Sequence, residues 1–314
     1  MCMPLFAWCD GKAIELTLGI GELNAITSCE VAGCSRARNC AFGRVGHGAI
    51  LGEESLFGNG IVSDVTHIRL SPSRMSEFNN CPRLYKYRVI EQLPEPPSID
   101  AERGTLIHTI LEDLFDLQPA QRTHASAVEM APERWRIQLS EKPGLAELVP
   151  NEKEWFDRVS ALLKNYFLLE KPETFEATHR EMHLEQDLNP QVYLHGYVDR
   201  IDVAPTGQVR IVDYKSGKSP KAGWEEKALF QLRVYAFLYW RLHGVIPALL
   251  ILHYLGDARS VKSSPTEAEL LSTEKKLLQI ADEIIEAIEK DHFPPKPSRL
   301  CDWCFFKSIC PAHN

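Results

Sequence analysis

The sequence of 314 residues has no apolar run long enough to cross a bilayer, which takes about 20 consecutive apolar residues. Its first residues, MCMPLFAWCDGK, contain neither a basic leader nor an apolar core of signal-peptide length. These two absences argue against a membrane protein and against a secreted one. We therefore expect a cytoplasmic protein that has no membrane partner.

Positive charge is also scarce. Lys and Arg total 35 against 43 Asp and Glu, which gives a net charge of −8. A protein that coats nucleic acid would be broadly basic, so this balance excludes that class but not an enzyme with a local basic groove. The phosphate-binding loop G-x-x-x-x-G-K-S/T is missing as well, because Val212 stands where SGKS would need an upstream glycine. We therefore expect no ATP site in this chain.

Cysteine is plentiful, with nine residues, but none lies between Cys81 and Cys301. In a reducing compartment cysteines more often bind metals or do redox chemistry than form disulfides. The segment CDWCFFKSIC has the spacing C-x2-C-x5-C, and Cys81 offers a fourth thiolate. Four thiolates suit either an iron–sulfur cluster or structural zinc, and the residues alone leave both open.

A metal site shared by Cys81 and the C-terminal cysteines would close a loop of roughly 220 residues. Closing so long a loop costs on the order of 5 kcal/mol by the logarithmic law. Binding of both ends offsets this cost, so the site would staple the start of the organised sequence to its end. Neighbouring aromatic residues are expected either to shield the site from water or to fill the core: Trp303, Phe305 and Phe306.

Residues 1–66 are rich in Gly, Ala, Ser and Cys and show no sustained helical or strand period. We predict a poorly structured extension or a wrongly assigned translation start, with initiation near Val62 or Val65. The third alternative is a second metal site, formed by Cys29, Cys34 and Cys40. Organised sequence follows, and we predict one domain over residues 67–314.

The organised sequence alternates between helical and strand-like periods. RGTLIHTILEDLFDL has helical spacing of its apolar residues, and helices are also predicted over residues 225–243 and 266–290. Strands are predicted for four segments: HREMHLEQDL, VYLHGYVDRIDVA, QVRIVDYKSG and ALLILHYLG. PTG indicates a turn between the second and third of them. This order predicts a mixed α/β domain.

Two carboxylates and an ammonium are predicted to meet on this sheet. In QVRIVDYKSG the strand period of two places Asp213 and Lys215 on one face. If the chain turns back at PTG, Asp199 in the preceding strand faces Asp213. Facing carboxylates repel unless a cation lies between them, and a divalent cation with oxygen ligands meets this need. The alternative is a solvated hairpin with ordinary surface charges.

Two helices carry further candidates. His108 and Glu112 share a helix face, so His108 is a candidate metal ligand with Glu112 as its hydrogen-bond acceptor. Gln231 and Tyr235 lie one turn apart and are candidates for positioning a substrate or an attacking water. For both pairs the alternative is ordinary helix packing.

Six motifs occur in a fixed order: SPSRMSEFNNCP, GTLIH, GYVDRID, DYKSG, QLRVY and CDWCFFKSIC. In their order and spacing, over about residues 68–314, the chain resembles the RecB-type exonucleases of the PD-(D/E)XK nuclease superfamily, in the branch with an iron–sulfur cluster. It is similar to the CRISPR-associated nuclease of that branch and to the AddB nuclease domain. The resemblance implies a restriction-endonuclease-like α/β core, in which helices flank a central mixed sheet, with a helical lobe and an iron–sulfur staple between the chain ends.

The resemblance also implies roles for the residues named above. Mg²⁺ or Mn²⁺ would be bound by His108, Asp199, Asp213 and the carbonyl of Tyr214. Lys215 would be the catalytic lysine, acting with Asp199 and Asp213, with Gln231 and Tyr235 behind it. A 4Fe–4S cluster, or zinc as the other occupant considered, would be held by Cys81, Cys301, Cys304 and Cys310.

The implied activity is metal-dependent exonucleolytic hydrolysis of DNA at single-stranded or frayed ends, in repair or recombination. Because the chain lacks a phosphate loop, unwinding would need a separate helicase. DNA contacts are expected from four basic residues, some of them interleaved with tyrosines: Arg83, Lys86, Arg88 and Lys218. Two alternatives remain, a CRISPR adaptation nuclease and a non-catalytic DNA-binding module with a structural cluster.

Overall fold

The computed structural model describes residues 5–9, 12–16, 67–221, 223 and 225–313. The chain divides into two compact units, residues 1–61 and 62–314. In the first unit, β1 (Leu5–Cys9) and β2 (Lys12–Leu16) pair antiparallel, a hairpin that the sequence analysis did not predict. The third alternative for this segment, a metal site at Cys29, Cys34 and Cys40, lies outside the described residues.

The second unit is built on a mixed β-sheet, as the sequence predicts. Its six described strands are β3 (Ile68–Leu70), β4 (His179–Asn189), β5 (Val192–Val203), β6 (Val209–Lys215), β7 (Leu249–Tyr254) and β8 (Arg259–Ser263). The long strand β5 pairs antiparallel with β4 along one edge. Its other edge pairs in parallel with β3 and then antiparallel with β6. β7 pairs parallel to β6, and β8 pairs antiparallel to β7.

Helices flank this sheet on both faces. They are α1 (Pro72–Asn80), α2 (Pro82–Tyr85), α3 (Ile99–Leu114), α4 (His124–Glu141), α5 (Leu145–Leu148), α6 (Glu152–Leu169), α7 (Glu225–His243) and α8 (Glu267–Glu289). Shorter turns of helix are Lys86–Ile90, which is a π-helix, and the 3-10 helices Pro119–Gln121, Pro172–Thr174, Arg299–Asp302 and Phe305–Ile309. Among the described helices, none combines the length and the apolar character needed to span a membrane.

The hydrophobic core has two parts, one on each face of the sheet. One part packs α1, α7 and α8 against the strands, and the other packs α3, α4 and α6 against them. The central strand β6 contributes to both, since Ile211 belongs to the first part and Val212 to the second. A strand buried on both faces needs a nearly continuous apolar sequence, which explains the run that precedes Asp213.

Helix starts follow from local capping. Ser71 caps α1, with Pro72 at the first helical position. At the start of α8, Thr266 and Glu269 form a reciprocal capping box. These caps fix where α1 and α8 begin, and both helices pack on the face of the sheet that carries α7.

A buried ion pair supports the strand that carries the charged candidates. The side chain of Arg200, on β5, is 1% exposed and donates a 2.7 Å hydrogen bond to Oε1 of Glu170. Its guanidinium also donates to the hydroxyl of Tyr214. Because Tyr214 lies between Asp213 and Lys215 on β6, this network holds in place the segment that presents both of them.

Glu170→Gln is expected to destabilise the protein by about 3 kcal/mol near neutral pH, because the buried Arg200 loses one of its two carboxylate partners and keeps only Asp202. Burial raises the pKa of Glu170, but His253 and Arg200 outweigh this effect and hold the pKa well below its usual range. A carboxylate with a depressed pKa stabilises the folded state above its unfolded pKa of about 4.3, and this contribution is lost as the pH falls. Denaturation measured from about pH 7 down to about pH 3 should therefore show a difference from wild type that shrinks below about pH 4.5.

The exposed neighbour Glu173 provides the matched control. Glu173→Gln removes the same charge from the surface and should change the free energy of unfolding by less than about 0.5 kcal/mol. If the destabilisation by Glu170→Gln stayed constant across the whole pH range, the ion pair would not be its cause.

Candidate metal centre and cysteine site

Side chains from four elements meet where β5 and β6 separate. α3 supplies His108, β4 supplies Glu181, β5 supplies Asp199, and β6 supplies Asp213 and Lys215. The paired residues of β5 and β6 stop just short of Asp199 and Asp213. The carboxylates of both residues are therefore at the end of the ladder, where the side chains of α3 and β4 reach them.

His108, Glu181 and Asp199 form the closest group. Nδ1 of His108 lies 3.5 Å from Oδ2 of Asp199 and 4.0 Å from Oε1 of Glu181. One donor atom from each of these three residues lies within 4.8 Å of the other two. Carboxylate oxygens and an imidazole nitrogen are donors that suit Mn²⁺ or Mg²⁺. The donor set and its spacing therefore fit one divalent cation.

The backbone of Tyr214 joins this group to β6. Its amide donates a 2.6 Å hydrogen bond to Oδ2 of Asp199, and its carbonyl accepts a 2.9 Å bond from Nε2 of His108. The second bond places the proton of a neutral His108 on Nε2, which leaves the lone pair of Nδ1 directed at the two carboxylates. Asp199 and Glu181 are thus carboxylates beside this imidazole.

Asp213 and Lys215 form a pair that Gln231 bridges. Nζ of Lys215 lies 2.8 Å from Oδ2 of Asp213 and donates to Oε1 of Gln231 at 2.9 Å. Nε2 of Gln231 donates to Oδ1 of Asp213 at 3.0 Å and to the hydroxyl of Tyr235 at 2.8 Å. Gly196 makes room for this tyrosine, since a Cβ there would lie 2.6 Å from its ring. The four predicted residues therefore contact one another, although Asp213 is outside the group of three around His108.

Burial and mutual charge shift the pKa values of these residues. Burial raises the pKa of Asp213 to about 6, against the opposing charge of Lys215. Burial and the charge of Asp199 raise the pKa of Glu181 to about 7. Burial lowers the pKa of His108, but its hydrogen bond and charge interaction with Asp199 outweigh this and raise the pKa to about 9. In the absence of a cation the group therefore holds protons near neutral pH, and a cation would displace them.

Glu181 is the residue of this group that the sequence analysis missed. Its φ of 44° lies in the left-handed region, which is uncommon for any residue other than glycine. This conformation interrupts the pairing of β4 with β5 between Arg180 and Met182. Simple alternation along a strand does not predict such an interruption, and glutamate is not a residue type that favours it. The sequence therefore carries no local signal for the position of this side chain.

The four predicted cysteine ligands line one small cavity: Cys81, Cys301, Cys304 and Cys310. Backbone amides of Lys296 and Ser298 approach Sγ of Cys81 and Cys301 at 3.5 Å and 3.4 Å. Among the described residues, no three of these sulfur atoms lie within 4.8 Å of one another. The four cysteines nevertheless share one cavity.

Contacts between the two ends of the domain surround this cavity. The hydroxyl of Tyr87 donates a 3.1 Å hydrogen bond to the carbonyl of Ile309, and its ring packs against Phe306 at 5.3 Å between centroids. Phe306 is buried, whereas Trp303 is 79% exposed and Phe305 is 52% exposed. Trp303 and Phe305 therefore do not fill the core. A short irregular segment has no periodic pattern that would direct every aromatic side chain inward.

The predicted DNA-binding residues lie in different surroundings. Lys86 pairs with Asp291 at 2.7 Å, and Arg88 pairs with two glutamates. Arg83 lines the cysteine cavity. Lys218 is exposed just beyond β6. Internal ion pairs thus offset the charges of Lys86 and Arg88.

Comparison with known proteins gives one family. A family model described as the PD-(D/E)XK nuclease superfamily matches residues 69–311. The Gene 69 protein of Mycobacterium phage L5 is 24% identical over 286 residues, which cover 77% of this chain and 96% of the phage protein. A solved structure of a candidate exonuclease from Eubacterium rectale shows a TM-score of 0.48 at 12% identity, over 82% of this chain and 93% of that chain. The family match includes every residue described at both sites.

Proposed function

Because the chain belongs to the PD-(D/E)XK nuclease superfamily, we propose that it is a metal-dependent exonuclease that hydrolyses phosphodiester bonds of DNA at single-stranded or frayed ends. Nucleases of this superfamily act on DNA with divalent metals. The observation that carries the proposal is the group of His108, Glu181 and Asp199 beside the Asp213–Lys215 pair. Such a group places a fixed ammonium beside a cation site.

In this proposal Mn²⁺ or Mg²⁺ is held by His108, Glu181, Asp199 and Asp213. The carbonyl of Tyr214, which the resemblance implies as a further ligand, accepts the hydrogen bond from Nε2 of His108 and so orients the imidazole. A bound divalent cation supplies charge stabilisation at the scissile phosphate and activation of the attacking water. Lys215 supplies a second positive charge at the phosphate, where negative charge develops during hydrolysis. Gln231 fixes the orientation of Lys215 relative to Asp213, and Tyr235 fixes Gln231.

A cleavage assay on end-labelled single strands tests this function. We expect progressive shortening from one end when Mn²⁺ or Mg²⁺ is added, and no products when a chelator replaces the metal. The protein must be purified under protection from oxygen and must be folded and loaded with metal. If it then leaves the strand intact, the result contradicts the proposed nuclease activity. Products that arise only from internal cuts would contradict the exonuclease part alone.

We also propose that the cysteine cavity holds a 4Fe–4S cluster, as in the iron–sulfur branch of RecB-type nucleases. The convergence of all four cysteines on one cavity supports this. The cluster would then join the segment after α1 to the C-terminal segment of a nuclease domain that spans residues 67–314. Iron–sulfur proteins are brown and zinc proteins are colourless, so the colour of the purified protein separates the two occupants.

DNA repair or recombination is the process that the motif order favours. The sequence contains no phosphate-binding loop of the form G-x-x-x-x-G-K-S/T, so any unwinding of a duplex requires a separate helicase. A duplex with frayed ends should therefore be degraded more slowly than the corresponding single strand, unless a helicase is added.

Glu181→Gln is expected to weaken Mn²⁺ binding by about tenfold or more, because the amide retains the shape of the side chain but loses its charge. Isothermal titration of the metal-free protein with Mn²⁺ measures this without any DNA. The same titration should show proton release, since the raised pKa of His108, about 9, means that its proton leaves when the cation binds.

Glu185 lies on the same strand, contacts His183 and Tyr193, and serves as the matched control. Glu185→Gln should bind Mn²⁺ with wild-type affinity. Unchanged Mn²⁺ affinity in Glu181→Gln would show that Glu181 is not a ligand, even if the nuclease activity fell.

A further inference from the structure

A groove with a volume of about 1010 Å³ runs along α1, the start of α7, α8 and the C-terminal segment. We call it the α1–α7 groove. Lys215 and Gln231 of the metal centre line it, and so do Trp303 and Cys304 beside the cysteine cavity. The groove therefore runs from Lys215 and Gln231, beside the metal centre, to the edge of the cysteine cavity, and a chain-like ligand lying in it would contact both ends.

One wall of the groove is made of small polar side chains. Ser73, Ser76 and Asn80 lie at helical spacings of three and four on α1, so they share the face that lines the groove. Hydroxyl and amide groups of this kind donate to the phosphate and sugar oxygens of nucleic acids without reading their sequence. This wall suits a polar backbone better than it suits the apolar surface of a folded protein.

Two exposed lysines add positive charge to the groove. Nζ of Lys227 donates a 2.5 Å hydrogen bond to Oδ1 of Asn80, and Nζ of Lys276 lies 4.6 Å from the centroid of Phe230. Within the described part of the chain, neither ammonium has a carboxylate oxygen within ion-pair distance. Their charges are therefore available to an anionic ligand.

Two of the three glutamates that line the groove are offset by arginines. Glu77 pairs with Arg88 at 2.6 Å, and Glu226 pairs with Arg233 at 2.7 Å. The third, Glu269, accepts hydrogen bonds from the amide and the hydroxyl of Thr266. The two lysines therefore outnumber the one carboxylate that has no cationic partner, in a protein whose net charge is −8. A local positive track on an acidic protein favours a polyanion over an acidic or apolar peptide.

Trp303 is the least expected feature of the groove. It is 79% exposed, although tryptophan is among the side chains that gain most from burial. An exposed indole next to a basic groove is a stacking platform, because every nucleobase offers a flat face. A duplex hides those faces within its stack, whereas a single strand exposes them.

From these observations we infer that the α1–α7 groove binds a single strand of nucleic acid that passes from Lys215 along α1 and stacks a base on Trp303. The inference deepens the proposed function and rests on it, because the strand must reach the metal centre at Lys215 to be a substrate.

Binding of labelled oligothymidylates in the presence of a chelator, with anisotropy as the readout, tests the inference without cleavage. For wild type, affinity should rise with length over a range of about 4 to about 16 nucleotides. Trp303→Ala should bind the longest strands about tenfold more weakly, since one stacked base contributes roughly that factor, and the ratio to wild type should approach one for the shortest. Trp303→Phe keeps a flat ring and should restore most of the affinity.

Phe305→Ala is the matched control, because Phe305 is also exposed, flanks Cys304 on its other side and is not part of the groove lining. It should bind every length as wild type does. Equal binding of long strands by wild type and Trp303→Ala would overturn the inference, as would an equal loss at every length. If wild type self-associates and Trp303→Ala does not, while both bind strands equally well, the inference would also be overturned. Trp303 would then belong to a protein interface.

The double variant Lys227→Gln, Lys276→Gln tests the same track without touching the C-terminal segment. It should reduce the slope of log affinity against log salt by about 1.4, at about 0.7 for each phosphate contact of a single strand. An unchanged slope would overturn the inference even if Trp303→Ala failed to fold. If wild type binds strands in this way but never cuts them with Mn²⁺, the proposed function fails while the track stands.

Discussion

Lys215→Ala is expected to lower Mn²⁺-dependent hydrolysis of DNA by about a thousandfold, the upper range for removal of one preorganised charge from a buried site. Burial lowers the pKa of Lys215, but the charge of Asp213 outweighs this and raises the pKa. The side chain is therefore an ammonium at neutral pH and acts as a fixed positive charge rather than as a base. Rates measured on an end-labelled single strand give the size of the loss.

Metal titration separates the role of Lys215 from the role of Asp213. Lys215→Ala should still bind Mn²⁺, because an ammonium is not a ligand, whereas Asp213→Ala should lose both Mn²⁺ binding and hydrolysis. Lys290→Ala, at the exposed end of α8, is the matched control and should cleave DNA at the wild-type rate. Full activity of either Lys215→Ala or Asp213→Ala, with normal melting, would overturn the assignment of this site.

Cys304→Ala should lose iron and stability together. The cluster would connect residues roughly 220 positions apart, and closing such a loop costs about 5 kcal/mol that the bound group offsets. A loss of this order exceeds half the stability of a typical domain, so the variant should melt far below wild type or fail to accumulate. Iron content and thermal unfolding, both measured on protein protected from oxygen, provide the two readouts.

Cys81→Ala tests whether the two ends share one group. It removes the ligand from the other side of the cavity and should give the same loss of iron as Cys304→Ala. Phe305→Ala, next to Cys304, controls for disturbance of the C-terminal segment and should keep its iron. A Cys304→Ala protein with stoichiometric iron and unchanged melting would contradict the staple.

The part of the fold that rests on periodicity was predictable from the sequence. α7 spans Glu225–His243, as its apolar spacing predicts, and β6 ends at the charged residues that follow its apolar run. Both elements are long and strongly patterned, so the burial of one face or of both faces fixes them. The approach of Asp199 to Asp213 followed from the same alternation, together with the turn at PTG.

Features that depart from the regular spacing of side chains in helices and strands were not predictable from the sequence. Glu181 reaches the metal centre because its own backbone is left-handed inside β4. The alternation of side chains along a strand does not predict this conformation. The exposure of Trp303 depends on how a short irregular segment folds around four cysteines, and such segments have no period to read. In both cases tertiary contacts, rather than local preference, decide the direction of the side chain.

Diffraction from crystals soaked in Mn²⁺, recorded at a wavelength where manganese scatters anomalously, tests the central claim most directly. We expect one strong anomalous peak between Nδ1 of His108 and the carboxylates of Glu181, Asp199 and Asp213, next to the ammonium of Lys215. A fully soaked crystal of active protein without a peak in this pocket, or with its manganese bound elsewhere, would contradict the account.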